Sequence, residues 1–269
     1  MLELHLDDFD AYKIAQSGQC FRMRVQPDGS VFAMAGAHAV ALWPLKGGGW
    51  RFSCERQMFD SFWRPYFDLD ADYARYRARA YRKDSFLQQA FLEGAGLRIL
   101  RQDAWETLVS FIISQRKSIP AISTAVEALC RACGQPALGE PGAYAFPSAQ
   151  TLAQKDEAFL RACGLGYRAP YVLDAAKRVA SGRLNLAALG EKKTPALCAA
   201  LQQVHGVGEK VALCVALFGY HRLEACPVDV WMRRVLDTQY GGAMPARYRA
   251  CAGVLQQYLF CLARSRRLR

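Results

Sequence analysis

His205-Gly206-Val207-Gly208-Glu209-Lys210-Val211-Ala212 sits between two helical patterns, and its two glycines are what divide them. Upstream, Thr194 and Pro195 form a cap and first-turn pair for a helix that runs through Leu197 and Leu201 to Val204. Downstream, Val211 and Ala212 open a second apolar run. Glycine tolerates positive φ and leaves backbone N–H groups bare, and the second helix aims the positive end of its dipole toward the same place. The stretch therefore reads as a helical hairpin at 205–208 with room for a phosphate. Taken alone, it fits a plain turn between two helices at least as well.

A second cue follows at Pro227-Val228-Asp229, where Asp229 precedes the helical run Val230-Trp231-Met232-Arg233-Arg234 and meets the requirements of an N-cap. Toward the N-terminus the period stays helical as far as about residue 86. Asp103 caps a helix carrying Trp105, Leu108, Ile112 and Ile113, and Ser118 with Pro120 starts another ending near Gly134. Ser148 opens a third, Phe159 and Leu160 sit in one closed by Gly164, and Val172 to Val179 form the next.

Ahead of these the period drops to two. Phe21, Met23 and Val25 alternate with Arg22, Arg24 and Gln26 before the turn Pro27-Asp28-Gly29-Ser30, and Val31 to Ala35 returns. A further pair, His38 to Trp43 and Trp50 to Ser53, is separated by Lys46-Gly47-Gly48-Gly49. The fold class is mostly α with an α+β N-terminal domain. Residues 1–85 form an antiparallel-sheet domain and residues 86–269 a helical one carrying the hairpin.

The 269 residues are 52% hydrophobic, enough to bury a full core without a disulfide or metal staple. A formal charge of +11 favours phosphate backbones, anionic membranes or acidic proteins as partners. The N-terminus has no basic region followed by a long apolar run, and no window approaches a membrane span, so an intracellular protein is expected, in the nucleoid or cytoplasm of a prokaryote or the nucleus of a eukaryote. The ten cysteines are irregularly spaced among apolar neighbours and read as reduced thiols. Cys130 and Cys133 form a lone CxxC at a helix end, with no second pair at zinc spacing, and Cys226, Cys251 and Cys261 are too far apart for a cluster-binding run. No metal site and no iron–sulfur cluster are expected. The C-terminal Arg264-Ser265-Arg266-Arg267-Leu268-Arg269 reads as a solvated end.

Taken together, Leu201 to Ala212 followed by Pro227-Val228-Asp229-Val230 resembles the helix-hairpin-helix (HhH-GPD) DNA glycosylase superfamily. Three further segments resemble its 8-oxoguanine-excising glycosylases in particular: Ser17-Gly18-Gln19-Cys20-Phe21-Arg22, Gly164-Leu165-Gly166-Tyr167-Arg168 and Gln256-Gln257-Tyr258-Leu259-Phe260. The resemblance implies a small antiparallel domain packed on two all-helical subdomains, with the DNA site in the cleft between them. It further implies a bifunctional glycosylase and AP lyase acting as a monomer on double-stranded DNA that contains an oxidised purine.

On that resemblance Lys210 is the nucleophile, where an arbitrary lysine would be a solvated one, and Asp229 both caps its helix and supports the developing positive charge. Gly18 supplies a carbonyl to the N7 proton that 8-oxoguanine carries and guanine lacks. Gln256 bonds the Watson–Crick edge of the flipped base, and Phe260 and Cys214 stack on its two faces. Each of these four would otherwise be ordinary core or turn. Gly206, Val207 and Gly208 hold phosphate, Tyr167 wedges into the stack, and Arg168 contacts the orphaned partner base.

Two departures stand out. Arg116 and Ala121, in Ser114-Gln115-Arg116-Lys117-Ser118-Ile119-Pro120-Ala121, occupy places where the family carries an asparagine and a cytosine-reading arginine, and Trp231 stands where part of the family has a histidine. A weaker preference for cytosine opposite the lesion is the consequence, and Arg116 and Lys117 add phosphate contacts. The chemistry needs no cofactor, though a cation at the hairpin carbonyls is compatible with the turn. Two other readings share the hairpin: a glycosylase for alkylated purines, which typically has no lysine at this place, and a non-catalytic helix-hairpin-helix DNA-binding protein, which has no reason to pair Lys210 with Asp229.

Overall fold

The computed structural model describes residues 1–80, 82–138, 140 and 142–266. The period-two stretches form an antiparallel sheet of β1 (Leu2–Leu4), β2 (Met23–Val25), β3 (Val31–Ala35), β4 (His38–Pro44) and β5 (Trp50–Phe52), in the order β1-β5-β4-β3-β2. Val31 lies opposite Leu42 and Ala33 opposite Val40, which gathers four buried side chains on the inner face with Phe52. Edge strand β1 was not legible in the sequence, because three residues are too few for alternation to show and its partner β5 lies far along the chain. The short Ala11–Gln16 helix, capped by the Asp10 carboxylate, was likewise unread.

The sheet is fastened to the helices by buried polar side chains. The Gln19 amide donates to the Ser17 hydroxyl (3.0 Å) and the Arg98 carbonyl (2.8 Å) and accepts from the Leu100 N–H (2.8 Å), while its own backbone carbonyl takes the Gln102 amide at 2.8 Å. Arg22 is buried as well and donates to Glu127 (3.3 Å) and the Tyr144 carbonyl.

At the centre lies the Ala104–Ile113 helix, started by the Asp103 carboxylate accepting the Glu106 N–H at 2.8 Å and buried from Thr107 through Ile113. It packs against the Glu209–Gly219 helix, whose Val211, Ala212 and Cys214 to Phe218 are also buried. A helix apolar on every side belongs in the interior. Phe111 stacks on Phe218 with ring centroids 5.5 Å apart. The Ala252–Ser265 helix lies against Ser85–Glu93, and Tyr258 donates to the Leu97 carbonyl at 2.8 Å. The CxxC sits in the Ile119–Cys133 helix, with Cys130 buried and the Cys133 thiol bonded to the Leu129 carbonyl, and all ten cysteines are free.

The expected helix starts at Asp103, Ser118 and Ser148 are present. Thr194 differs. It is the first residue of the Thr194–Leu201 helix, with Lys193 in the cap position, and its hydroxyl donates to the Glu224 carboxylate. That helix stops at Leu201 and leaves 202–204 as turn. The C-terminal helix runs further than expected, through Ser265, and Arg266 pairs with Glu93 at 2.6 Å; Arg267, Leu268 and Arg269 lie outside the described residues. Among the described residues no helix is long and apolar enough to cross a membrane.

Candidate active site

The two hairpin glycines do different work. Gly206 has φ +80°, and a Cβ there would run into the Tyr171 ring, so both backbone conformation and space require glycine. Gly208 is extended, with φ −90° and ψ −179°, and open space surrounds the position a Cβ would take. It stands at the N-cap of the Glu209–Gly219 helix with no side chain to cover the first-turn N–H groups. Val207 is buried between them. The His205 N–H is held by Asp174 at 2.8 Å, and the Gly206 carbonyl accepts the Gln115 amide at 3.1 Å.

From the first turn of that helix, Lys210 enters a cleft of about 320 Å³ that opens between the sheet domain and the helices. Gly18, Arg116, Lys210, Cys214, Asp229, Gln256 and Phe260 all line it, so seven residues proposed from separate stretches of sequence meet around one cavity. The Lys210 Nζ stands 5.3 Å from the centre of the Phe111 ring. Burial pushes the Cys214 thiol up to about 11, against the pull of the neighbouring Lys210 charge, so Cys214 is neutral and suited to apolar contact. Asp229 is also within electrostatic reach of that thiol. It caps the Val230–Gln239 helix, one carboxylate oxygen accepting the Met232 N–H at 2.8 Å, while the group lines the cleft.

Gly18 has φ +76°, and a Cβ there would come within 2.9 Å of Ile119 and 3.7 Å of the Phe260 ring. The glycine thus lets its backbone approach the same space that Phe260 borders. Its neighbours Ser17 and Gln19 are fully buried, so the turn is fixed from both sides.

The turn 114–117 follows the central helix. Arg116 is exposed and sits in the left-handed region at φ +52°. Arginine is not among the residues that tolerate that region well, so Arg116 carries a conformational cost. Lys117 donates to the Gly164 carbonyl at 2.9 Å. Tyr167 is 48% exposed, and its ring meets Tyr171, which meets His205 at 4.6 Å between centroids. Arg168 departs from expectation. It is only 5% exposed, its Nε and a terminal nitrogen donate to the Gln115 carbonyl, and its other terminal nitrogen reaches the Leu165 carbonyl at 3.2 Å. A guanidinium so engaged holds the 114–117 turn in place instead of standing free at an orphaned base.

Sequence reasoning missed several residues of the cleft. Phe21, Phe111 and Ile119 line it, and each sits in an apolar pattern indistinguishable from core, while Trp231, marked out in the sequence, lines it as well. Gln257 lines it too, and like Gln256 it is only 4% exposed. Among the described residues no three His, Cys, Asp or Glu side chains gather as a metal-holding group.

A sheet domain packed on helices, a glycine hairpin, and a lysine and an aspartate in the cleft beside it define a class. Residues 109–245 match the HhH-GPD superfamily of base excision DNA repair proteins, and the chain belongs to that superfamily. Residues 1–108 match the N-terminal domain of 8-oxoguanine DNA glycosylase. Among solved structures, MBOgg1 in complex with a low-affinity DNA ligand is 36% identical, with 97% of this chain and 94% of that one covered and a TM-score of 0.88. The Clostridium acetobutylicum 8-oxoguanine glycosylase/lyase in complex with double-stranded DNA containing cytosine opposite 8-oxoG is 30% identical, with 97% and 94% covered and a TM-score of 0.90. The N-glycosylase/DNA lyase of Saccharomyces cerevisiae is 33% identical over 164 residues, which span 56% of this chain and 44% of the yeast protein.

Proposed function

We propose that this chain is an intracellular bifunctional DNA glycosylase and AP lyase that excises 8-oxoguanine from duplex DNA. The observation that carries the reading is the convergence of Lys210, Asp229, Gly18, Cys214, Gln256 and Phe260 on one cleft beside an uncapped helix N-terminus. Hairpin N–H groups grip a backbone phosphate, Tyr167 fills the space the extruded nucleotide leaves, and the base enters between Phe260 and Cys214. The Gly18 carbonyl accepts the N7 proton, the one donor that separates the lesion from guanine.

The neutral Lys210 amine attacks C1′ as the glycosidic bond breaks, and the electron pair leaves with the purine, which takes up a proton. Asp229 stabilises the positive charge that grows on the sugar. Ring opening gives a Schiff base, loss of a C2′ proton follows, and elimination breaks the bond to the 3′ phosphate. An amine and a carboxylate carry every step, so no cofactor is called for. Because Ala121 stands at the place of a cytosine-reading arginine, the base opposite the lesion is read loosely.

Borohydride added during reaction with an 8-oxoguanine duplex should trap the chain covalently on DNA, with no adduct on an intact control. Lys210→Gln should reduce trapping and base release by on the order of 10³-fold or more. Absence of an adduct with the unaltered chain, or an adduct of undiminished yield with Lys210→Gln, overturns the reading.

A further inference from the structure

Gln256 and Gln257 are adjacent on the Ala252–Ser265 helix, and both are buried and line the cleft. Consecutive helix positions point about 100° apart, so one of two such neighbours usually faces away from any given site. Here the Gln257 amide nitrogen donates to the Gln256 side-chain oxygen at 3.4 Å, which turns the two amides into a single unit. The side-chain oxygen of Gln257 is buried and accepts no hydrogen bond. A buried acceptor without a donor costs about 1–3 kcal/mol and calls for an explanation.

The chemistry of the amide pair supplies one. Because the Gln256 oxygen takes a bond from Gln257, the Gln256 nitrogen is left to donate outward, beside that oxygen's second lone pair and the unfilled Gln257 oxygen. The pair thus offers one donor and two acceptors. The Watson–Crick edge of a guanine-derived base has the complementary set: the O6 acceptor, the N1–H donor and the 2-amino donor. An adenine-derived edge, with one acceptor at N1 and one donor at N6, would leave an acceptor unfilled.

On the reading of the cleft as a base pocket, we infer that Gln257 is a specificity-determining residue: it fixes the orientation of the Gln256 amide and accepts a hydrogen bond from the 2-amino group of the flipped base. Gln256 alone cannot satisfy the three polar groups of that edge, and Gln257 supplies the missing acceptor. The inference also explains why the Gln257 oxygen is tolerated without a donor on a buried stretch of this helix.

The test compares two duplexes under single-turnover conditions, one with 8-oxoguanine and one with 8-oxohypoxanthine, the same base without its 2-amino group. The unaltered chain should release 8-oxoguanine about tenfold faster, the worth of one buried hydrogen bond. Gln257→Met, close in shape but without an acceptor, should bring the ratio to within about twofold of one, while its midpoint of urea unfolding stays equal or rises. Gln257→Glu keeps an acceptor of the same length but loses the N–H that holds the Gln256 oxygen, so it should recover at most part of the ratio. Equal release of both bases by the unaltered chain overturns the inference, as does a Gln257→Met enzyme that retains the full ratio. If neither base is released at all, the glycosylase reading itself falls, and the inference falls with it.

Discussion

Two left-handed turns, Gly206 at φ +80° and Arg116 at φ +52°, are joined by one hydrogen bond, from the Gln115 amide to the Gly206 carbonyl. The first is dictated by sterics, since no residue with a Cβ clears the Tyr171 ring. The second is dictated by its neighbours, for Arg168, Lys117 and the end of the central helix hold the turn in shape and Arg116 accepts the cost. A turn fixed by space can carry only glycine. A turn fixed by hydrogen bonds leaves its side chain free to vary.

The sharpest way to break the contrast is Gly206→Ala, expected to cost about 2–4 kcal/mol of stability through strained φ and overpacking, with loss of duplex affinity. Adding Tyr171→Ala should recover only the packing part, and a double-mutant cycle in urea measures the split. If Gly206→Ala alone proves neutral, the steric account is wrong.

Arg168→Met tests the other turn. Removing the bonds to the Gln115 and Leu165 carbonyls should cost about 2–3 kcal/mol, and amide exchange should quicken at 114–117 more than at 205–208. Unchanged stability together with lost duplex binding would instead put Arg168 at the DNA.

Cytosine preference follows in size. Across duplexes with each of the four bases opposite 8-oxoguanine, release rates should stay within about tenfold, the scale of one lost hydrogen-bonded contact. A preference of a hundredfold would overturn the loose reading drawn from Ala121 and Arg116. The smallest effect belongs to Arg116→Asn, which should gain about 0.5–1 kcal/mol by relieving the left-handed turn. The slope of log binding constant against log salt should fall by about one if Arg116 meets a phosphate.

Where local chemistry dictates geometry, the sequence was a sound guide. Asp103, Ser118, Ser148 and Asp229 cap helices because a short acceptor before an apolar run has little else to do. Thr194 lies one residue inside its helix, with Lys193 at the cap, and its bond to Glu224 is a tertiary contact that no local pattern records. Arg168 escaped for the same reason, as a Tyr-Arg pair in a loop looks exposed until the Gln115 carbonyl is set beside it. The cleft was legible through residues whose types are unusual in their setting, such as the hairpin glycines and Lys210. Phe21, Phe111 and Ile119 were not, because an aromatic or aliphatic wall of a cavity and a piece of core have the same composition. Gln257 was hidden by its neighbour, since only an enclosed helix buries two successive amides.

The Gln19 side chain has a consequence for how such a protein would fail. Its bonds to Ser17, Arg98 and Leu100 belong to the seam between sheet and helices, and the glycine they flank is the one set against Phe260. A change that opens the seam therefore also frees the Gly18 turn, so heat that parts the sheet from the helices is expected to slacken that turn in the same step.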